Sequence, residues 1–162
     1  IEGHAFMASD TEVTLGDLKV HGGAKVFKYD DDCLVGFSGY DGVIQHLVHE
    51  RIPYVLEEEL GFFPFELARE IRCAKTEEEW VQALVMKGKE MYYLNAHGSV
   101  TDISEYEYMA IGNGAPYALG YLDGIRSRMT STDTLEAVRC AARWYPGVGG
   151  RCLVDSYKIQ EE

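Results

Sequence analysis

The chain has 162 residues, 46% of them hydrophobic, and a formal net charge of −12 at pH 7. This length and apolar content fit one domain with a substantial core, so we expect a single domain over residues 1–162. The strong negative charge argues against nucleic acids and anionic membrane surfaces as partners, because both are bound through clustered Lys and Arg.

The four cysteines, Cys33, Cys73, Cys140 and Cys152, are widely separated and include no C-x-x-C pair. This spacing indicates neither a zinc ribbon nor a dense disulfide framework. No stretch approaches the roughly 20 apolar residues that a membrane helix requires, and the first residues lack the pattern of a signal peptide. We therefore expect a soluble, cytoplasmic protein with reduced thiols and without a cofactor.

Strands are expected over most of the first 40 residues. Residues 4–8 and 13–15 are short extended segments, and residues 24–29 alternate apolar and charged side chains as a half-buried strand does. Residues 33–37 are typical of a buried strand, and the three aspartates at 30–32 supply a hairpin turn between the last two segments.

Helices are expected to follow these strands. The spacing of apolar residues becomes helical after Gly39, and Pro53 is predicted to break this first helix. A second helix is predicted over residues 64–73. Thr76 is expected to cap a further short helix.

The second half of the chain is predicted to begin with strands and to end with two helices and a strand. Segments at 83–86, 91–94 and 100–103 have the composition of a strand meander with turns between them. The remaining predicted elements are a short strand at 109–111, a helix at 117–125, a helix capped by Thr132 and a final strand at 152–159.

This order of elements predicts the fold class. Strands, two helices, a strand meander, two helices and one strand fit an α+β protein in which two stacked sheets are covered by helices on both outer faces. A single parallel α/β sheet fits less well, because strands and helices do not strictly alternate. The sequence therefore predicts a four-layer αββα sandwich.

Two segments resemble the proteasome β-subunit family, and especially its HslV-like members, among the N-terminal-nucleophile hydrolases. The first is G-H-A-F-M-A-S-D at residues 3–10, and the second is M-A-I-G-N-G-A-P-Y-A at residues 109–118. Between them, Lys25 and the run G-F-S-G at residues 36–39 fall in the order that the family has. The resemblance spans almost the whole chain and implies the αββα fold.

The resemblance also implies a chemistry. In this family the hydroxyl of an N-terminal Thr attacks an amide, and the α-amino group of the same residue takes the proton, since a free α-amine titrates near pH 8. By position, Asp10 is implied to hold a lysine, Lys25 to tune the amine, Gly39 to donate to the oxyanion and Asn113 to support the site. A peptide or amide substrate, a homo-oligomer such as a ring, and an ATPase as a candidate partner are implied as well.

The chain departs from the family pattern at two places. The family's spacing puts the nucleophile several residues before Ile1, and Ile1 itself has neither a hydroxyl nor a thiol. Near the C-terminus the family commonly has an Asp, then a Ser or Thr after two intervening residues, then Gly-Gly, whereas Tyr145 and Val148 stand at these positions here. Two hypotheses therefore stay open: a threonine-type hydrolase whose Thr, Ser or Cys precedes Ile1, and a catalytically inactive subunit with a structural or assembly role.

Ordinary structural explanations compete with these assignments. Asp10 can end a strand, Lys25 can be a solvent-facing strand lysine, and Gly39 can serve only the turn into the helix. His46 and His49 have the spacing of a helical metal pair, but no third ligand stands at a recognisable distance, so no metal site is predicted.

The aromatic residues allow two interpretations as well. Trp80, Trp144 and the eleven tyrosines can anchor a subunit contact, because aromatic anchors dominate such interfaces. Packing in the core explains most of them equally well.

Overall fold

A computed structural model describes residues 3–15, 18–57, 63–74, 79–125 and 129–159. The strands within these residues are β1 (His4–Ser9), β2 (Glu12–Leu15), β3 (Leu18–His21), β4 (Val26–Asp30), β5 (Cys33–Gly39), β6 (Val81–Lys87), β7 (Glu90–Leu94), β8 (Val100–Asp102) and β9 (Leu153–Lys158). The helices are α1 (Asp41–His46), a π-helical turn (Leu47–Arg51), α2 (Ile52–Glu57), α3 (Phe63–Ala74), α4 (Ala115–Ile125) and α5 (Ser131–Trp144).

The larger sheet is an antiparallel meander of five strands in the order β4-β5-β6-β7-β8. Its second strand β5 is buried on both faces, as its unbroken apolar run predicts. Val35 and Phe37 face a core cluster that they share with helical residues, whereas Leu34 faces the cluster between the two sheets. The two-residue period of a strand thus divides β5 between two cores.

The smaller sheet pairs β1 with β9 in antiparallel register, with Met7 opposite Asp155. Ala5, Met7 and Tyr157 from this sheet join the inter-sheet core. The two sheets approach so closely that a Cβ added at Gly36 would lie 2.6 Å from Met7 Sδ. The absence of a side chain at Gly36 therefore sets the spacing between the sheets.

Helices cover both outer faces. The segment from α1 to α2, together with α3, packs on the five-stranded sheet through apolar residues such as Leu47, Leu67 and Ile71. Helices α4 and α5 pack on each other through Ala118, Leu122, Ala137 and Ala141, and α5 contacts β1 and β9. The four layers are helix, sheet, sheet and helix, so the predicted αββα sandwich is confirmed.

Several local predictions need correction. Pro53 does not break the first helix, because the π-helical turn immediately before it lets Ile52 N–H bond to Leu47 O before the proline. Residues 109–111 form no strand; Met109 and Ile111 pack against the inter-sheet core without ladder pairing.

The N-cap of α5 also differs from the sequence-based prediction. Thr130, not Thr132, is the N-cap, and its side chain accepts from Asp133 N–H in a capping box with the Asp133 carboxylate. Strand β3, which pairs with β2, was not predicted. The helix predicted to begin at Thr76 lies outside the described residues.

A search for membrane spans among the described residues finds no helix with the length and apolar character that crossing a bilayer requires.

Candidate active site

A cleft of about 1080 Å³ opens between the two sheets and the glycine-rich turn that precedes α4. Asp10, Lys25, Gly39 and Asn113, which come from four different segments, all line it. The four residues that the sequence singled out therefore line one cleft.

Asp10 and Lys25 form an ion pair inside the cleft. Asp10 follows the last residue of β1 and its side chain is 10% exposed, while Lys25 precedes β4 and its side chain is 23% exposed. Lys25 Nζ donates to Asp10 Oδ1, which also accepts from the backbone N–H of Glu12 at 2.9 Å. Two donors on one carboxylate oxygen fix Asp10 and hold the lysine ammonium at the cleft wall.

Gly39 ends β5 at a position that only glycine fits. Its φ is +136°, and a Cβ there would lie 2.2 Å from the carbonyl oxygen of Trp80. Tyr40 N–H donates to Trp80 O, and Phe37 N–H donates to Lys25 O on the other side of the strand. Because donors alternate along an antiparallel strand, we expect the Gly39 amide to face the same side of β5 as the Phe37 amide, away from Trp80 O.

Asn113 sits at the centre of the turn at residues 112–114 and is exposed to solvent. The turn itself is held against β5, since a Cβ at Gly112 would lie 2.6 Å from Ser38 Oγ. Ser38, which the sequence reading passed over, thus lies between Gly39 and the glycine-rich turn on the cleft wall.

Thr11 joins the Asp10 corner to the loop before β9. Its Oγ1 accepts from Arg151 N–H at 2.9 Å, and its own N–H donates to Gly149 O at 3.2 Å. The bond between Arg151 and Thr11 links residues 140 positions apart in the chain, so no local sequence signal could have revealed it.

Glu12 is a second carboxylate in the cleft that sequence reasoning missed. Its side chain is 12% exposed, and its Oε1 lies 3.0 Å from the ammonium of Lys19, whose side chain is 48% exposed. Its Oε2 lies against the backbone of Gly149. The sequence pattern did not predict a buried Glu12, because Glu12 begins the short hairpin strand β2, in which four residues are too few to show which face is buried.

The C-terminal departures from the family pattern lie close to this site. Val148 lines the cleft and packs against Gly114, whereas Tyr145 follows α5 and donates its N–H to Ala141 O. Beyond this loop, burial raises the pKa of the Cys152 thiol, which lies within electrostatic range of Arg139 and Asp10. Val148 therefore places an apolar side chain on the cleft wall at a position where the family pattern has a hydroxyl.

The histidine pair does not form a metal centre with other ligands. His46 Nδ1 lies 3.2 Å from Glu50 Oε2, and His49 Nε2 lies 3.1 Å from Gln45 Oε1. Among the described residues, no group of three His, Cys, Asp or Glu side chains is arranged to hold a metal ion.

Comparison with known proteins places these observations among relatives. No family model matches the chain. Among curated proteins, it is 34% identical over 124 residues to the ATP-dependent protease subunit HslV of Syntrophobacter fumaroxidans, a match that covers 73% of this chain and 68% of that protein.

Solved structures share the fold. HslV from Trypanosoma brucei superposes with a TM-score of 0.79 at 19% identity, over 98% of this chain and 95% of that one. Anbu, an ancestral β-subunit from Yersinia bercovieri, gives 0.79 at 15% identity, over 98% and 79% of the two chains. BPH from Thiobacillus denitrificans in complex with epoxomicin gives 0.71 at 17% identity, over 99% and 96%.

Proposed function

The chain belongs to the HslV-like family of proteasome-β-type N-terminal-nucleophile hydrolases, and on this premise we propose that it is a threonine-type peptidase or amide hydrolase. The observation that carries the proposal is the Asp10–Lys25 ion pair in a cleft shared with the Gly39 amide. A family relationship alone would not distinguish an active subunit from an inactive one, whereas a lysine paired with a carboxylate in the cleft that Gly39 also lines supports the active one.

The proposed reaction assigns a role to the N-terminal residue, to Lys25 and to Gly39. The hydroxyl of the mature N-terminal residue attacks the substrate carbonyl carbon, and its proton passes to the α-amino group of the same residue. The Lys25 cation disfavours protonation of that amine before the attack, and the Gly39 N–H stabilises the negative oxygen that forms. The protonated α-amino group then gives its proton to the leaving amine as the C–N bond breaks. Water hydrolyses the ester that remains.

The cleft has room for the segment that carries this nucleophile. All of residues 4–9 along β1 line it, as do residues 107–115. Among the described residues, β1 pairs with β9 alone, and the segment at 109–111 has no strand partner. We place the nucleophile at the start of a strand that precedes Ile1 and lies along this edge of β1.

The assembly is part of the same proposal. The relative from Syntrophobacter fumaroxidans is named as a subunit of an ATP-dependent protease. We propose by analogy that this chain, as one domain, acts in a homo-oligomer in the cytoplasm, with an ATPase as its partner.

One observation favours a second candidate function. Val148 places an apolar side chain in the cleft where the family pattern has a hydroxyl, and Tyr145 stands where it has a carboxylate. A subunit without those groups that keeps the fold for assembly is the alternative.

The test compares two lysines near the same strand in protein expressed from the complete reading frame. Lys25→Gln should lower kcat/KM for a fluorogenic peptide by at least about 100-fold, because the α-amine that acts as base loses the cation that keeps it unprotonated. Lys28→Gln is the matched control, since exposed Lys28 donates to Ser156 O at 3.3 Å and is not among the described residues that line the cleft. Equal activity of both variants would contradict the assignment of the site. No activity in the unmutated protein would favour the inactive subunit.

A further inference from the structure

The carboxylate of Glu12 lies in the cleft with one of its oxygens incompletely bonded. Its side chain is 12% exposed and lines the cleft. Its Oε1 lies 3.0 Å from Lys19 Nζ, yet this oxygen is buried and accepts no hydrogen bond of good geometry from the described residues. A carboxylate oxygen that is buried without a donor destabilises a fold, which makes a further donor at this place favourable.

The backbone holds Glu12 between the Asp10–Lys25 pair and the loop before β9. Glu12 N–H donates to Asp10 Oδ1, the oxygen to which Lys25 Nζ also donates. The preceding residue, Thr11, donates its N–H to Gly149 O at 3.2 Å. The position of the Glu12 side chain is therefore tied to both parts of the candidate site.

The carboxylate reaches the loop before β9 at Gly149. A Cβ added at Gly149 would lie 2.4 Å from Glu12 Oε2, so a side chain there would displace the carboxylate or the loop. Next to it, Val148 lines the cleft and donates its N–H to Tyr145 O at 3.1 Å. Tyr145 and Val148 supply neither the carboxylate nor the hydroxyl of the family pattern, whereas Glu12 brings a carboxylate to the same loop.

The other carboxylates on the described cleft wall are placed for other contacts. Asp10 already binds the lysine of the site. Asp41 begins α1 and accepts from Gln45 Nε2 at 3.4 Å, and Glu107 is exposed to solvent. Glu12 is therefore the carboxylate of this wall that is best placed to accept from a further donor within the cleft.

We propose that Glu12 is a positioning residue whose carboxylate accepts a hydrogen bond from the α-amino group of the mature N-terminal residue. This inference rests on the proposed hydrolase function and deepens it, because it supplies an acceptor that Tyr145 and Val148 do not. An α-amine that takes the hydroxyl proton must aim its lone pair at that hydroxyl, and a carboxylate that accepts one of its N–H bonds orients it. The negative charge also favours the protonated amine, in opposition to Lys25.

The experiment measures the pH profile of kcat/KM for one fluorogenic peptide, with protein from the complete reading frame. The acid limb of this profile reports the pKa of the amine that acts as base. Glu12→Gln should lower kcat/KM at the optimum by about 10-fold or more, because the amine is no longer oriented. It should also move the acid limb to lower pH by at least about half a unit, because the charge that favours the protonated amine is lost.

Two further variants of the same ion pair separate positioning from a purely structural role. Lys19→Gln leaves the Glu12 carboxylate in place and removes its neighbouring cation, so the acid limb should move to higher pH, opposite to the shift in Glu12→Gln. Glu12→Asp keeps the charge on a shorter side chain and should move the limb less than Glu12→Gln does.

The matched control is a carboxylate in a similar setting outside the cleft. The side chain of Glu66 is 21% exposed, and its Oε2 lies 2.9 Å from Arg69 Nη1 on α3. This oxygen is also buried without a hydrogen bond from the described residues, but Glu66 does not line the cleft. Glu66→Gln should have the pH profile of the unmutated protein.

Three results would overturn the inference and leave the proposed function intact: unmutated kinetics in Glu12→Gln, an equal loss at every pH in that variant, or an acid limb in Lys19→Gln that stays in place or moves to lower pH. If thermal melting shows that Glu12→Gln does not fold, the direction of the shift in Lys19→Gln decides alone. An unmutated protein that cleaves no peptide would overturn the proposed function together with this inference.

Discussion

Asp10 is the residue on which the candidate site depends most directly, because its Oδ1 holds both Lys25 Nζ and the Glu12 amide. Asp10→Asn should lower the free energy of unfolding by about 1–3 kcal/mol, since it leaves a partly buried ammonium without its counter-charge. Peptidase activity should fall with it. Urea unfolding and a peptide assay measure the two effects.

The matched control removes a carboxylate from an exposed pair. Glu136 and Arg139 form an ion pair one turn apart on α5, with side chains 38% and 54% exposed. Glu136→Gln should change stability by less than about 1 kcal/mol. A similar cost for both variants would mean that the Asp10–Lys25 pair is no stronger than a surface contact.

Gly39 offers a second test at the residue scale. Gly39→Ala should destabilise the protein by at least about 2 kcal/mol, because φ is +136° and the new methyl would meet Trp80 O. Gly120→Ala is the control, since it lies in α4 with nothing within 4 Å of its Cβ position. That change should stabilise by about 0.5–1 kcal/mol, so thermal melting of the two variants should move in opposite directions.

At this scale the sequence allowed candidate residues to be chosen, but it did not predict their surroundings. Asp10, Lys25 and Gly39 follow one another in the order that the family has, and this order can be read from the sequence without knowledge of the fold. The bonds between Thr11 and the loop at 149–151, and the approach of Glu12 to Gly149, depend on how distant segments meet. No local pattern encodes such contacts.

At the scale of elements, α3 is tied to the π-helical turn by a buried carboxylate. Glu70 is 4% exposed, and its Oε2 accepts from Arg51 Nε at 2.6 Å. The hydrogen bond from Arg51 lowers the pKa of Glu70 below its usual 4.5. A lowered folded-state pKa means that the pair stabilises the protein above the unfolded pKa and is lost as pH falls through the folded one.

This pair gives a pH prediction. The free energy of unfolding should decline as pH falls from about 5 toward the lowered pKa of Glu70. Glu70→Gln should cost about 2 kcal/mol at pH 7 and should make the decline in that acidic window shallower. Urea unfolding at a series of pH values measures both, and an unchanged acid slope in the variant would contradict the role of the pair.

The capping box of α5 provides a prediction with its own control. Thr130→Ala should cost about 1 kcal/mol, because the side chain of Thr130 accepts from Asp133 N–H and begins the helix. Thr132→Ala removes an exposed hydroxyl one position inside the helix and should be close to neutral. Thermal melting of the two variants separates them, and a larger cost at Thr132 would restore the sequence-based assignment.

Elements with strong periodicity were predictable, and the errors have physical causes. The apolar run at 33–37 predicted the buried strand β5, and the helical spacing of apolar residues predicted α3. Both predictions hold because the residues in each pattern are the ones that the fold buries. Pro53 failed as a breaker because a π-helical turn precedes it. The strand predicted at 109–111 is absent because a strand needs a hydrogen-bonded partner, and none of the described strands pairs with this segment.

At the scale of the whole molecule, the order of elements was enough to predict the αββα sandwich, since two stacked sheets need helices on both outer faces. Two sheets that meet between helical layers leave a cleft at the end where β1, β5 and the glycine-rich turn converge. The same architecture occurs in HslV and Anbu at 19% and 15% identity, where it reflects the fold alone. The architecture alone therefore does not establish the proposed activity, which requires a nucleophile at the mature N-terminus.

The most direct test labels that N-terminus. Protein from the complete reading frame is treated with a peptide epoxyketone, which reacts with the hydroxyl and the amine of an N-terminal Thr together, and is then examined by intact mass and N-terminal peptide mapping. The account predicts a chain that begins with Thr, Ser or Cys upstream of Ile1 and, where that residue is Thr, gains the mass of one probe there, with labelling reduced in Lys25→Gln. A chain that begins with an unprocessed Met or with Ile1, and that stays unlabelled, would contradict it.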